Sequence, residues 1–267
     1  MSEPEGPLRL LVWPEVPAPF VYDSDTDFRE QASQLARLAR TSFLFGTVAH
    51  TAAGAPLNSA ILLGPGGEYL GRYDKMYLVP FGEFVPRFFS FVNRITQEAG
   101  DFEAGKRLVV FRAEERRLGA FICYEAVFPH LVRRFAAEGA ELFVNISNDG
   151  YFGRSAAREQ HLKIVRMRAA ENRRWILRTT NNGITVSIDP AGRIMDRLPP
   201  YQQVALHTRY SYVREQTPYT RYGDWFALVC AVAGIAAILV TAAGANPPSA
   251  PSIRPSETRP TPPPSSP

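Results

Sequence analysis

The sequence is poor in the residues that most often announce a function. Its 267 residues hold two cysteines, Cys123 and Cys230, which gives no disulfide framework, and no C-x-x-C spacing occurs. The four histidines (His50, His130, His161 and His207) are scattered, so no metal site is expected. Lysine is nearly absent: among 30 basic residues only Lys75, Lys106 and Lys163 are lysines. A net charge of +4 is too small and too dispersed to indicate a nucleic-acid partner, although it suits a surface facing anionic lipid. Met1–Pro7 is polar and lacks the apolar centre of a signal peptide. The hydrophobic fraction of 45% still allows an ordinary packed core.

What is present alternates between strand-like and helix-like patterns. Leu8–Trp13, Ser42–Ala49, Leu57–Leu63, Leu108–Arg112, Leu118–Ile122, Glu141–Ile146, Trp175–Thr180 and Ile184–Ile188 read as strands. Phe28–Arg40, Phe128–Glu138 and Ala156–Arg173 read as amphipathic helices, and the Arg133/Arg134 and Arg173/Arg174 pairs as solvated helix faces rather than lipid-headgroup sites. Such a mixture implies an α/β layered domain, here spanning residues 8–218. Trp225–Ala245 differs: it is uncharged, apolar and as long as the ~20 residues a bilayer-spanning helix needs. A buried core helix is the competing interpretation. Asn246–Pro267 is a Pro/Ser-rich tail expected to be disordered.

Three features carry chemistry. Cys123 follows a strand-like run and precedes a helical one, where a nucleophile would be exposed beside backbone N–H groups; a small buried core residue is the alternative. In Trp13-Pro14-Glu15 the proline ends a strand and turns out a carboxylate placed to act as a base, or merely solvated. The segment Tyr73 to Pro86 reads as an aromatic, proline-punctuated loop holding Lys75 and Glu83, suited to an oxyanion and its orienting partner, or to a surface ion pair.

Together these residues give a Glu–Lys–Cys order, and the segments around them resemble the apolipoprotein N-acyltransferase family of the nitrilase (carbon–nitrogen hydrolase) superfamily. The resemblance runs from Leu8 to Ala245. It is carried by Val12-Trp13-Pro14-Glu15, Tyr73-Asp74-Lys75 on to Leu78-Val79-Pro80-Phe81-Gly82-Glu83, and Ile122-Cys123-Tyr124-Glu125. Ile146-Ser147-Asn148-Asp149-Gly150-Tyr151-Phe152-Gly153, Gln160-His161, Arg166-Met167-Arg168-Ala169 and Arg178-Thr179-Thr180-Asn181-Asn182-Gly183-Ile184-Thr185 add to it.

The resemblance implies a nitrilase-like α-β-β-α sandwich with one C-terminal transmembrane helix, on the outer (periplasmic) face of a bacterial inner membrane. It implies cofactor-free transfer of a fatty acyl chain from a membrane phospholipid, through a Cys123 thioester, to the N-terminal amine of a diacylglyceryl-cysteine lipoprotein. Glu15, Lys75 and Cys123 match the catalytic triad, and Glu83, Glu125, Tyr124 and Asn58 its supporting residues. Phe84, Phe88, Phe89 and Phe91 are candidates for a substrate gate dipping into the bilayer, or equally for a loop packed against the domain. The family's leading membrane helices, and a strand and helix ahead of Trp13, are expected from a longer chain or from a separate partner chain; a degenerate remnant is a further possibility. Two other functions stay open: a membrane-tethered amidase that uses water, and a non-catalytic assembly subunit.

Overall fold

A computed structural model describes residues 9–85 and 102–244. They fall into two units, Met1–Gly223 and Asp224–Pro267. The first unit contains two sheets. One has the order β1-β2-β3-β4, built from Leu10–Val12, Ser42–His50, Pro56–Leu63 and Tyr69–Asp74. The other has the order β10-β9-β8-β7-β6-β5. In chain order its strands are β5 (Val110–Ala113), β6 (Arg116–Ile122), β7 (Leu142–Ser147), β8 (Ile176–Thr180), β9 (Val186–Ile188) and β10 (Ile194–Arg197). β1 runs parallel to β2, and β6, β7 and β8 are mutually parallel; the remaining pairings are antiparallel.

The period of two along the strands sorts side chains into layers. Phe43, Phe45, Ile61 and Leu63 pack with Ala32 and Ala36 of α1 (Thr26–Ala39). The intervening Leu44, Ala60 and Leu62 join Phe111, Leu118, Ala120 and Ile122 in one core between the sheets. The second sheet's other face is covered by α2 (Pro129–Ala137) and α3 (Ala157–Asn172) through Leu131, Phe135, Leu162 and Val165. Gly119 has no room for a side chain, since a Cβ there would stand 2.8 Å from that of Phe135. The result is the expected helix–sheet–sheet–helix stack. It explains why β7 is buried along its whole length: sheet and helix cover its two faces.

The structure departs from the sequence reading at three places. Tyr69–Asp74 is an edge strand, so the supposed loop opens only at Lys75. β10 is a second edge strand missed by pattern; both are short and half polar because one face meets water. Arg174 is not solvated. It turns inward past the end of α3, fully buried, and donates to the carbonyls of Ala140 (2.7 Å), Asn172 (3.1 Å) and Glu215 (2.7 Å). Phe84 is half-buried, while Phe88, Phe89, Phe91 and the tail 246–267 lie outside the described residues.

A short helix, α4 (Pro218–Tyr222), closes the first unit, and in the second unit α5 (Trp225–Gly244) is a 20-residue helix. Its stretch Trp225–Ala243 has a mean hydropathy of 2.6 and, by length and composition, can cross a membrane. Thr241 donates back to the Ala237 carbonyl at 3.0 Å, so its hydroxyl is satisfied within the helix.

Candidate active site

The ends of the first sheet's strands deliver a charged cluster. After β1 the chain crosses over β2, with Trp13 N–H donating to Leu44 O (2.9 Å) and Gly46 N–H to Pro14 O (3.1 Å). Gly46 makes this crossing possible, since a Cβ there would sit 2.6 Å from Val16 N and 2.7 Å from Glu15 Cα. Glu15 is thereby turned inward and is only 5% exposed. Asn58 comes from β3, and Lys75 follows β4, its N–H donating to Asn58 O at 2.8 Å. Glu83 sits on the next turn, where Val79 N–H donates to its Oε2 at 2.8 Å.

These four side chains close on one another. Asn58 Nδ2 donates to Glu15 Oε1 and to Glu83 Oε1, both at 2.7 Å. Lys75 Nζ lies 2.8 Å from Glu83 Oε1 and 3.3 Å from Glu15 Oε1. Asn148 N–H donates to Glu15 Oε2 at 2.6 Å, so both Glu15 oxygens are fixed. Lys75 is 1% exposed. Burial alone would lower its ammonium, but Glu15, Cys123 and Glu83 outweigh it and hold it above its ordinary value. This is no surface ion pair; Asp74 pairs instead with Arg72.

Cys123 stands where β6 ends and a short 3₁₀ turn, Cys123–Val127, begins. Its φ is +49°, in the left-handed region that side chains other than glycine adopt at a cost of roughly 1–3 kcal/mol. Burial pushes its thiol up to about 12 and Glu15 adds to the shift, while Lys75, Ser147 and Arg178 oppose it. At neutral pH the sulfur therefore rests as a thiol and needs a base to become a nucleophile.

Glu125 lies under this turn rather than in the charged cluster. It is fully buried, and its two oxygens accept from Tyr73 OH (2.7 Å), Met76 N (2.7 Å), Tyr77 N (3.3 Å) and Ile122 N (2.7 Å). Burial pushes its carboxyl up to about 7 against the pull of these bonds and of Lys75. It thus clamps the Lys75 loop to the Cys123 turn. Tyr124 is half-buried with its ring edge-on to Phe128, which stacks on Tyr77 at 4.3 Å.

Sequence reasoning gave no role to several residues here. Tyr151 is one: it is largely exposed, and its phenol is raised by partial desolvation and then by the charges of Glu15, Glu83 and Cys123. Asn145, Ser147, Asp149, His161 and Arg178 form a buried polar set next to the turn. Ser147, Asp149, His161 and Arg178 stood in dense motifs and Asn145 in a strand-like run, but only the fold brings residues 145 to 178 together. Among the described residues no grouping of His, Cys, Asp or Glu can hold a metal ion. A cleft lined by Arg112, Glu114, Arg116, Arg117, Glu141 and Arg214 opens at the other end of β6, where Arg116 and Arg214 pair with Glu141.

The carbon–nitrogen hydrolase profile matches residues 3–217. The chain belongs to the carbon–nitrogen hydrolase family. Within that family it is similar to the apolipoprotein N-acyltransferase of Geobacter metallireducens, 40% identical over 89% of this chain and 46% of that protein. The corresponding proteins of Azotobacter vinelandii (36%, covering 88% and 45%) and Pseudomonas aeruginosa (32%, covering 90% and 47%) are also similar. The chain spans a little under half the length of these relatives. Among solved carbon–nitrogen hydrolase structures, an amidase from Nesterenkonia sp. superposes with a TM-score of 0.53 at 20% identity, covering 71% of this chain and 73% of that one. The carbon–nitrogen hydrolase of Helicobacter pylori G27 gives 0.55 at 19%, with the same coverage. At these identities the likeness is one of fold.

Proposed function

We propose that the chain transfers a fatty acyl group from a membrane phospholipid to the N-terminal amine of a diacylglyceryl-cysteine lipoprotein, with Cys123 as nucleophile, Glu15 as base and Lys75 as oxyanion partner. One observation carries this reading: a buried carboxylate and ammonium, locked together by Asn58 and Glu83, act electrostatically on a thiol held in a left-handed turn. The similarity to N-acyltransferases over nine-tenths of the chain supports the substrate class, and α5 supports a membrane setting. The catalytic unit would stand on the periplasmic face of a bacterial inner membrane, where both lipid substrates are reached.

Glu15 takes the thiol proton as the sulfur attacks the ester carbonyl carbon. The oxyanion rests on Lys75 and on a backbone N–H near Tyr124, in the first turn after β6. The C–O bond then breaks, Glu15 returns the proton to the leaving alkoxide, and lysophospholipid departs from a Cys123 thioester. In the second half the lipoprotein amine attacks the thioester carbon. Glu15 accepts its proton, the C–S bond breaks, and the sulfur recovers a proton from Glu15. A protonated resting thiol suits this cycle, because the base works only as each nucleophile attacks.

Vesicles containing the full chain, labelled phospholipid and a diacylated lipopeptide test the proposal. Label on the lipopeptide amine, with parallel double-reciprocal lines as both substrates vary, is the expected result. Release of free fatty acid with no amide product would show that water, not the lipopeptide amine, takes the acyl group, and would overturn the transfer reading.

A further inference from the structure

The acyl-transfer steps leave unused a ring of hydrogen bonds beneath the thiol. His161 enters it from α3, Asn145 from β7, Arg178 from β8 and Asp149 from the turn after β7. His161 Nε2 lies 3.1 Å from the carbonyl oxygen of Cys123. A carbonyl only accepts, so Nε2 bears the proton and donates. Across the imidazole, Nδ1 meets Arg178 Nη2 at 3.3 Å and Asp149 Oδ1 at 3.5 Å. Arg178 is fixed in turn: its Nη2 donates to both Asp149 oxygens (2.8 and 2.9 Å) and its Nη1 to Asn145 Oδ1. Asn145 Nδ2 then donates to the Phe121 carbonyl at 3.1 Å.

The ring therefore leaves the chain at residue 123 and returns to it at residue 121, on either side of the bend into the left-handed residue. Asn145 and Asp149 are fully buried, and Arg178 and His161 nearly so. A set that merely filled the space under β6 would have no need to end on these two carbonyls. We infer that His161 is a positioning residue: its Nε2–H bond to the Cys123 carbonyl, backed by Asp149 and Arg178, holds the left-handed turn and so aims the thiol. The inference rests on Cys123 being the nucleophile.

The test is alkylation of the full-length chain by iodoacetamide, followed at Cys123 by peptide mass so that Cys230 does not interfere. His161→Phe keeps a ring and removes the donor; His161→Gln puts an amide N–H near the position of Nε2. Misaiming a reacting group costs about 10- to 100-fold. The phenylalanine variant should slow by that factor, and its kcat for acyl transfer should fall with KM unchanged. The glutamine variant should stay within about threefold of the parent, which a purely space-filling role for the ring would not produce. A folded phenylalanine variant that reacts at the parent rate, or a folded glutamine variant as slow as the phenylalanine one, overturns the inference. Should His161→Phe fail to fold, the glutamine variant decides by the same limits. If parental Cys123 resists alkylation and also takes no acyl group from phospholipid, the nucleophile reading fails first and this inference with it; if it resists alkylation yet is acylated, the kcat comparison decides by the same limits.

Discussion

Glu15→Gln is expected to slow acylation of Cys123 by about 10²- to 10⁴-fold, the usual worth of a positioned general base. The thiol rests protonated because burial, reinforced by Glu15, outweighs the pull of Lys75 and Ser147. Without a proton acceptor the thiolate is then scarcely populated at neutral pH. The substitution also turns an amide N–H₂ toward one of two groups. Either it faces Asn148 N–H, which now donates to Oε2, or it faces the Asn58 and Lys75 donors at Oε1. Two donors would confront each other in a buried place. Single-turnover release of lysophospholipid measures the effect. A loss smaller than about tenfold would remove Glu15 from the role of base.

Glu125→Ala is expected to cost stability first and activity as a consequence. The carboxyl gathers four donors from three separate places: Tyr73 on β4, Met76 and Tyr77 after Lys75, and Ile122 at the end of β6. Removing it strands the buried Tyr73 hydroxyl and Ile122 N–H, each at roughly 1–3 kcal/mol, and loosens the join between the two sheets. A total of about 3–4 kcal/mol corresponds to a melting temperature lower by roughly 10 °C for a domain of this size. Glu125→Gln should lose most of the same stability, because its amide N–H₂ must oppose either Ile122 N–H or the trio at Oε1. Glu114→Ala, on the exposed hairpin between β5 and β6, is the control and should change melting by no more than about 2 °C. An equally small change for Glu125→Ala would show that the clamp has no energetic weight.

The central strands were legible because their apolar runs are long and bounded by turn residues, as in Leu57–Leu63 before Gly64-Pro65-Gly66-Gly67. β4 and β10 were not, because an edge strand of six or four residues with polar alternation looks like loop. Glu15, Lys75 and Cys123 stood out from the motifs around them. Their arrangement did not, since it depends on contacts across great sequence distance. The single amide of Asn58 bridges two carboxylates at residues 15 and 83, and Glu125 reaches back to residues 73–77. Arg174 shows the same limit from the other side. A basic residue after a helix reads as solvated until the chain near Glu215 supplies a carbonyl for it. Charge patterns report helix faces well, whereas buried cations are decided by which backbone carbonyls the fold leaves without partners.

The most direct test of the whole account is the covalent state of Cys123 after the full chain meets phospholipid alone. Peptide mass spectrometry should find Cys123 carrying one fatty acyl group, released by neutral hydroxylamine or by adding diacylated lipopeptide, with Cys230 unmodified. An unmodified Cys123 in a preparation that still transfers acyl chains, or transfer persisting in Cys123→Ala, would contradict it.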